Sequence, residues 1–102
     1  MRPYTRKISA EEAKEGYLLL TKDRLKDFPP VGEDFILIAG EAEGEARVDS
    51  YRCTCQGPRR PHDHWFIRPG ITLHRGDEAT ITQTVEDPPA YALNVKRPWS
   101  PK

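Results

Sequence analysis

Several features that identify common protein classes are absent from this chain. It has two cysteines, one asparagine and a formal net charge of zero at pH 7. No apolar run approaches the roughly 18 residues of a membrane span, and no glycine-rich phosphate loop is present. We therefore expect no transmembrane helix, no membrane partner and no P-loop nucleotide site. A neutral charge is also atypical of nucleic-acid-binding proteins as a class.

The length and composition predict one small domain. The 102 residues are 36% hydrophobic and 31% charged, which allows a single modest core beneath a polar surface. We expect irregular tails at residues 1–8 and 96–102. The start of the chain lacks the apolar stretch of a signal peptide, which favours a cytoplasmic location. Ten prolines beside one asparagine indicate a thermophile.

Turn and capping residues divide the chain into short segments. Ser9-Ala-Glu-Glu12 is a capping-box sequence, so we predict a helix at Ala10–Glu15 that ends at Gly16. Thr21 is placed to cap a second short helix, Lys22–Asp27. Residues 40–45 should form an acidic turn. Apolar or alternating runs predict strands at residues 17–20, 34–39, 46–55, 62–68, 79–85 and 91–95.

Five or six short strands with two short helices predict a fold that is mostly β. We expect a small, mostly antiparallel pseudobarrel of the α+β class, with the helices plugging its ends. The chain has no room for the β-α-β unit of a nucleotide-binding fold.

The charges are segregated along the chain although they sum to zero. Residues 41–50 carry four acidic side chains against one arginine, and residues 77–87 carry four acidic side chains without a basic one. Between them, residues 51–76 carry five arginines against one aspartate. Such a basic segment can engage phosphates despite overall neutrality. A solvated face with balanced charges is the alternative.

Both cysteines and two of the three histidines lie in one stretch, CTCQGPRRPHDH. Side chains alternate along a strand, so if the two flanking strands pair, Cys53, Cys55, His62 and His64 share one face. Pairing Cys55 with His62 and Cys53 with His64 brings four ligands to the corners of a small rectangle. This arrangement suits a tetrahedral zinc ion, which would be the cofactor of the chain.

The same register pairs Tyr51 with Phe66 on the metal-binding face, which we therefore expect to face the core. Two other interpretations stay open. The cysteines are small core residues and the histidines cover the mouth of the barrel, or Cys55 and His62 form the nucleophile and base of an enzyme. The sequence identifies no third group that would orient such a base and no oxyanion donor.

The middle of the same stretch is basic and stiff. Gln56, Arg59 and Arg60 lie among prolines that lower the entropy cost of ordering the loop. Arginine binds guanine in bidentate fashion, glutamine binds adenine, and both contact phosphate. We predict a DNA-reading loop tip, and an ordinary polar turn is the alternative.

Two stretches together resemble a known family. KISAEEAKEGYLLLTKDRLKDFP gives a short helix, an apolar strand and a basic helical turn, and WFIRPGITLHRGDEATIT gives an aromatic strand, a spacer and an alternating strand. This order is similar to the B-three-like pseudobarrel DNA-binding domains of plant transcription factors and some restriction endonucleases. The resemblance implies two DNA-reading arms beside the barrel mouth. The first arm would supply Lys22, Arg24 and Lys26, and the second would supply Gln56, Arg59 and Arg60.

Three functional hypotheses follow. The first is a non-catalytic barrel that recognises double-stranded DNA, with zinc as a clip at the base of the hairpin. The second is a small protein-interaction or structural barrel with a zinc site and no role in nucleic-acid binding, whose acidic and basic segments contact a protein partner. The third is a metal- or thiol-dependent enzyme.

Overall fold

The computed structural model describes residues 1–53 and 62–97, with the backbone alone for residues 52, 53 and 62. These residues form seven strands, one α-helix and one 3-10 helix. The elements in chain order are β1 (Tyr4–Lys7), α1 (Ala10–Glu15), β2 (Leu18–Leu20), the 3-10 helix (Lys22–Asp27), β3 (Asp34–Ala39), β4 (Ala42–Cys53), β5 (His62–Ile67), β6 (Glu78–Val85) and β7 (Ala90–Lys96).

The strands form one curled sheet in the order β1-β6-β7-β3-β4-β5-β2. Neighbouring strands are antiparallel except β3 and β7, which run parallel. The sheet curls into a half-barrel with two short helices, so the predicted α+β pseudobarrel is confirmed.

Two predicted segments are wrong. The N-terminal tail, predicted to be irregular over residues 1–8, contains β1, which pairs with β6 and buries Tyr4. The predicted acidic turn at residues 40–45 belongs largely to β4, which begins at Ala42 instead of Ala46. β1 has only four residues of mixed polarity, too few to show a period in the sequence. The first part of β4 carries alternating glutamates on an exposed strand, and in the sequence these resemble a polar turn. Residues 98–102 of the predicted C-terminal tail lie outside the described residues.

Both predicted helices occur with their predicted bounds. In α1 the Ser9 hydroxyl accepts a hydrogen bond from the Glu12 backbone N–H, the Glu12 carboxylate accepts one from the Ser9 backbone N–H, and Gly16 ends the helix at φ 76°. The second helix is a 3-10 helix, and Thr21 at its N-cap makes no side-chain capping bond. The Tyr91 hydroxyl ties it to the core by donating a 2.7 Å hydrogen bond to the Asp27 carbonyl.

The concave side of the sheet holds the core. Aromatic rings fill one part of it, since Tyr91 lies 5.0 Å from Phe28 and 4.9 Å from Phe35 between ring centroids. Such pairs contribute about 0.5–1.5 kcal/mol each beyond the area that they bury. The remaining buried apolar side chains of this cluster are Tyr4, Ile8, Leu18, Leu20, Leu37, Ala46, Val48, Ile67, Leu73, Ala79, Ile81 and Leu93.

Side chains bridge the two edges of the half-barrel. β1 and β2 are the edge strands, and the Tyr4 hydroxyl donates a 2.8 Å hydrogen bond to the Leu19 carbonyl. The Glu12 carboxylate, which is fully buried, accepts hydrogen bonds from Arg6 Nε on β1 at 2.9 Å and from the Leu19 N–H on β2 at 2.8 Å. One carboxylate therefore joins β1, α1 and β2.

The environment of Glu12 favours its charged form. Burial by itself would raise the pKa of this carboxyl group, but the hydrogen bonds from Arg6, Leu19 and Ser9 oppose it and the net pKa lies below the ordinary value. Because the folded-state pKa is lowered, the stabilisation is present above the ordinary value and is lost as the pH falls through the folded-state pKa. The ion pair should therefore contribute to stability at neutral pH and weaken in acid.

Neither helix in the described part of the chain is long and apolar enough to cross a membrane.

Glu12→Gln should lower the free energy of unfolding by about 2 kcal/mol at neutral pH, because an amide donor replaces one charged acceptor at a buried, fully bonded site. Urea denaturation checks this value. Wild type should also lose stability as the pH falls below 4.5, the ordinary pKa of the group, and the variant should lose less. Glu15→Gln, on the exposed side of the same helix, is the control. Equal stability of the two variants would contradict this role of Glu12.

Candidate functional site

The β4–β5 hairpin is paired in a register two residues away from the predicted one. Cys53 pairs with His62 and Tyr51 pairs with His64, whereas the prediction paired Cys53 with His64 and Tyr51 with Phe66. The prediction assumed that pairing continues to Cys55, but the described pairs end at Cys53 and His62. The predicted rectangle of two opposed cysteine–histidine pairs is therefore wrong in its register.

A two-residue shift leaves each residue on its predicted face, because side chains alternate with period two. Cys53, His62 and His64 therefore still share one face of the hairpin. This face was expected to face the core, but it lies on the other side of the sheet. Val48 and Ile67 are each 1% exposed and point into the core, whereas Tyr51 on the opposite face is 38% exposed. His64, the candidate ligand whose side chain is described, stacks on Tyr51 and therefore lies on the convex side of the sheet.

The metal site falls mainly on residues whose side chains are not described. Cys55 lies outside the described residues, and only the backbone of Cys53 and His62 is described. Among the side chains that the structure does describe, no group of three His, Cys, Asp or Glu converges on a common point. The zinc site therefore stays a prediction, with Cys53 directly opposite His62 as its best-placed pair.

A row of rings lies on the convex side of the hairpin, and we call Tyr17, Tyr51, His64 and Phe66 the aromatic cluster. Tyr51 stacks on His64 with ring centroids 5.0 Å apart and planes 23° apart. Phe66 lies 5.8 Å from Tyr51 and 5.2 Å from Tyr17. The Arg68 guanidinium covers Phe66 at 5.2 Å from the ring centroid. The sequence showed these rings, but it did not show that they lie outside the core.

Tyr17 is the buried end of the aromatic cluster. Its side chain is 6% exposed, and burial, followed by a hydrogen bond with Tyr51, raises the pKa of its phenol. Tyr17 and Phe66 are thus a small apolar floor, and Tyr51 is the ring of the cluster that is substantially open to solvent.

Arg24, a predicted DNA contact, has structural partners. Its side chain is only 12% exposed, and Nε donates a 2.7 Å hydrogen bond to Asp27. Its other nitrogens donate to the carbonyls of Arg2 and Pro3, and its guanidinium lies 5.3 Å from the centroid of the Tyr4 ring. Arg24 therefore ties the N-terminal segment to the 3-10 helix. These partners are distant in sequence, so a local motif could not reveal them.

Lys22 and Lys26, the other two predicted contacts of the first arm, are exposed on the 3-10 helix. Gln56, Arg59 and Arg60 of the second arm lie outside the described residues. The sheet nevertheless relates the two arms. Leu20, the last residue of β2, pairs with Trp65, three positions from His62 at the start of β5. The end of β2, from which the 3-10 helix follows, and the strand ends at Cys53 and His62 therefore lie at the same end of the sheet.

Comparisons with known proteins give no match, whether with family models, with curated proteins or with solved structures. The resemblance to the B-three-like domains therefore stays a prediction.

Arg24→Ala should lower the free energy of unfolding by about 1–3 kcal/mol, because it leaves a partly buried carboxylate and two backbone carbonyls without their charged donor. Lys22→Ala, two residues earlier on the same helix and exposed, should change it by less than about 0.5 kcal/mol. Chemical denaturation of both variants tests this difference. If both variants are as stable as wild type, the structural role assigned to Arg24 is wrong.

Proposed function

We propose that this chain is a non-catalytic module that recognises double-stranded DNA with two arms at one end of its half-barrel. The observation that carries the proposal is the pairing of β2 with β5. It brings the end of β2, from which the 3-10 helix follows, to the same end of the sheet as Cys53 and His62. Lys22 and Lys26 belong to the first arm, and Gln56, Arg59 and Arg60 belong to the second.

Part of the acidic charge that balances the arginines is remote from the arms. Asp23 and Asp27 lie on the first arm itself, and Glu33 and Glu86 line a depression with Lys26. Glu41, Glu43 and Glu45 lie at or near the turn between β3 and β4, and β4 then runs to Cys53. Ten residues of strand separate Glu43 from Cys53, or roughly 30 Å at about 3.3 Å per residue. The Debye length at physiological salt is about 8 Å. A phosphate at the arms is therefore screened from these carboxylates.

Arg24 has a supporting part in this proposal. Its bonds to Asp27 and to the carbonyls of Arg2 and Pro3 hold the 3-10 helix against the N-terminal segment. A helix held in this way keeps Lys22 and Lys26 in fixed positions, which lowers the entropy cost of binding.

We also propose that zinc fixes the base of the second arm. The paired Cys53 and His62 bracket the segment that carries Gln56, Arg59 and Arg60. Cys55 and His64 are the remaining candidate ligands, on the face that Cys53 and His62 share by alternation. A metal at this position would shorten the free length of the arm and hold its arginines at a defined place.

A second candidate function is the binding of a protein partner, and the convex face of β3 and β4 favours it. Ile36 and Ile38 are half-buried there and pair with Glu45 and Glu43. Beside them is a depression of about 340 Å³ lined by Asp34, Glu45, Ala46, Arg47, Asp49 and Arg68. Three carboxylates and two arginines line this depression, and such a surface of mixed charge suits a protein partner of complementary charge.

Binding to a labelled random-sequence duplex, followed by fluorescence anisotropy, tests the DNA proposal. Affinity should fall steeply with added salt because each phosphate contact releases counterions. Arg59→Ala and Arg60→Ala should each weaken binding about tenfold and make the salt dependence shallower.

Arg75→Ala is the matched control, because Arg75 is exposed and lies in the turn at the opposite end of the sheet. It should leave the affinity unchanged. Absence of binding at low salt, or an equal loss in all three variants, would count against DNA recognition by these arms and favour the protein-binding candidate.

Elemental analysis of protein purified without chelators should find about one zinc per chain, and a chelator should lower the melting temperature. His62→Ala should abolish both the metal content and the effect of the chelator. The control is His74→Ala, which removes the third histidine from an exposed position outside the hairpin. Metal-free wild-type protein with an unchanged melting temperature would exclude the zinc clip and leave the DNA proposal to its own test.

A further inference from the structure

Tyr51, at the open end of the aromatic cluster, has no role in the core or in the arms described above, whereas His64 beside it is also a candidate zinc ligand. Tyr51 is 38% exposed although its ring stacks on His64 at 5.0 Å. Phe66 beneath it is 8% exposed, because Tyr17 and Arg68 cover it together with Tyr51. The cluster thus presents a stacked Tyr51–His64 pair on a buried aromatic floor.

This pair lies at the base of the second arm, and β5, which carries His64, is next to the strand that leads to the first arm. Tyr51 is two residues from Cys53 and His64 is two residues from His62, so both adjoin the segment of the second arm. On the other side of β5, the chain leaves β2 after Leu20, which pairs with Trp65 next to His64. The first arm therefore starts beside the same pair.

We propose that the Tyr51–His64 pair is a stacking site for an unpaired nucleobase, a proposal that rests on the DNA-binding function above. Two arms on one duplex would hold any extruded base near the strip of sheet between them. Every base has an apolar face that stacks on an aromatic ring, and such stacking contributes about 1–3 kcal/mol per base. An intact base pair keeps these faces inside the duplex, so the site discriminates between paired and unpaired bases.

One cation near the pair suits a phosphate, and it also lines the depression that holds the carboxylates of Asp34, Glu45 and Asp49. The Arg68 side chain is exposed and lies over Phe66, with one donor used at 3.1 Å on the Glu15 carbonyl. A guanidinium has five N–H donors, so Arg68 can contact a phosphate while it still covers the ring.

The test compares a labelled perfect duplex with the same duplex carrying one extra, unpaired adenine. Wild type should bind the bulged duplex at least about fivefold more tightly, which corresponds to the lower limit of one stacked base. Tyr51→Ala and Tyr51→Leu should lose this preference and keep the affinity for the perfect duplex. Tyr51→Phe, which retains the ring, should keep the preference.

Tyr51→Leu preserves an apolar cover over Phe66, so a loss in this variant reports the ring and not the fold. Val85→Ala is the control for an exposed apolar side chain elsewhere, at 47% exposure on β6. If wild type binds both duplexes equally, the stacking site is refuted and DNA recognition stands. If it binds neither, both proposals fail. A loss of affinity for both duplexes in Tyr51→Leu would assign Tyr51 to duplex binding and overturn the stacking site.

Discussion

The contact on which the rest of the structure depends is the buried carboxylate of Glu12. A curled sheet with two free edges exposes backbone donors and acceptors at each edge. Here the carboxylate receives Arg6 from one edge strand and the Leu19 N–H from the other, while the capping box fixes it at the start of α1. A buried charge is costly unless its partners are complete, and the three donors meet that condition. The barrel is thus closed by side chains.

This closure also positions the candidate site. Leu19 is the central residue of β2 and pairs with Phe66, so the bond from Glu12 to Leu19 fixes the strand that lies beside the aromatic cluster. β2 has only three residues, and too few ladder bonds hold it for its register to be secure without another contact. The 3-10 helix follows directly, and Arg24 and Tyr91 anchor it to the N-terminal segment and to the core. The contact of Glu12 with the two edge strands is therefore linked, through β2 and the 3-10 helix, to the proposed DNA-binding end.

Local signals in the sequence predicted the helices, most strand positions and the pseudobarrel class. The capping box of α1 and the β3 strand were read correctly because each depends on neighbouring residues alone. The hairpin register was missed by two residues, since a slip of two preserves the alternation from which it was inferred. The expectation that Tyr51 and Phe66 face the core failed for a different reason. Aromatic residues are typical of cores, and only tertiary packing shows that Val48 and Ile67 already fill that side.

The convex face of the sheet therefore carries two surfaces of different chemistry. Around Ile36 the groups are aliphatic and acidic with Arg47 and Arg68 nearby, and around Tyr51 they are aromatic with Arg68 over Phe66. Tyr51 covers Phe66, which explains an aromatic residue at this position. It does not explain why Tyr51 stacks on His64 and yet stays 38% exposed. Burial favours apolar side chains by about 25 cal/mol for each Å² removed from water, so an exposed stacked pair forgoes stabilisation that a covered one would have. A ligand that covers Tyr51 would recover this stabilisation. A flat nucleobase can stack on the Tyr51 ring and so continue the stack of Tyr51 on His64.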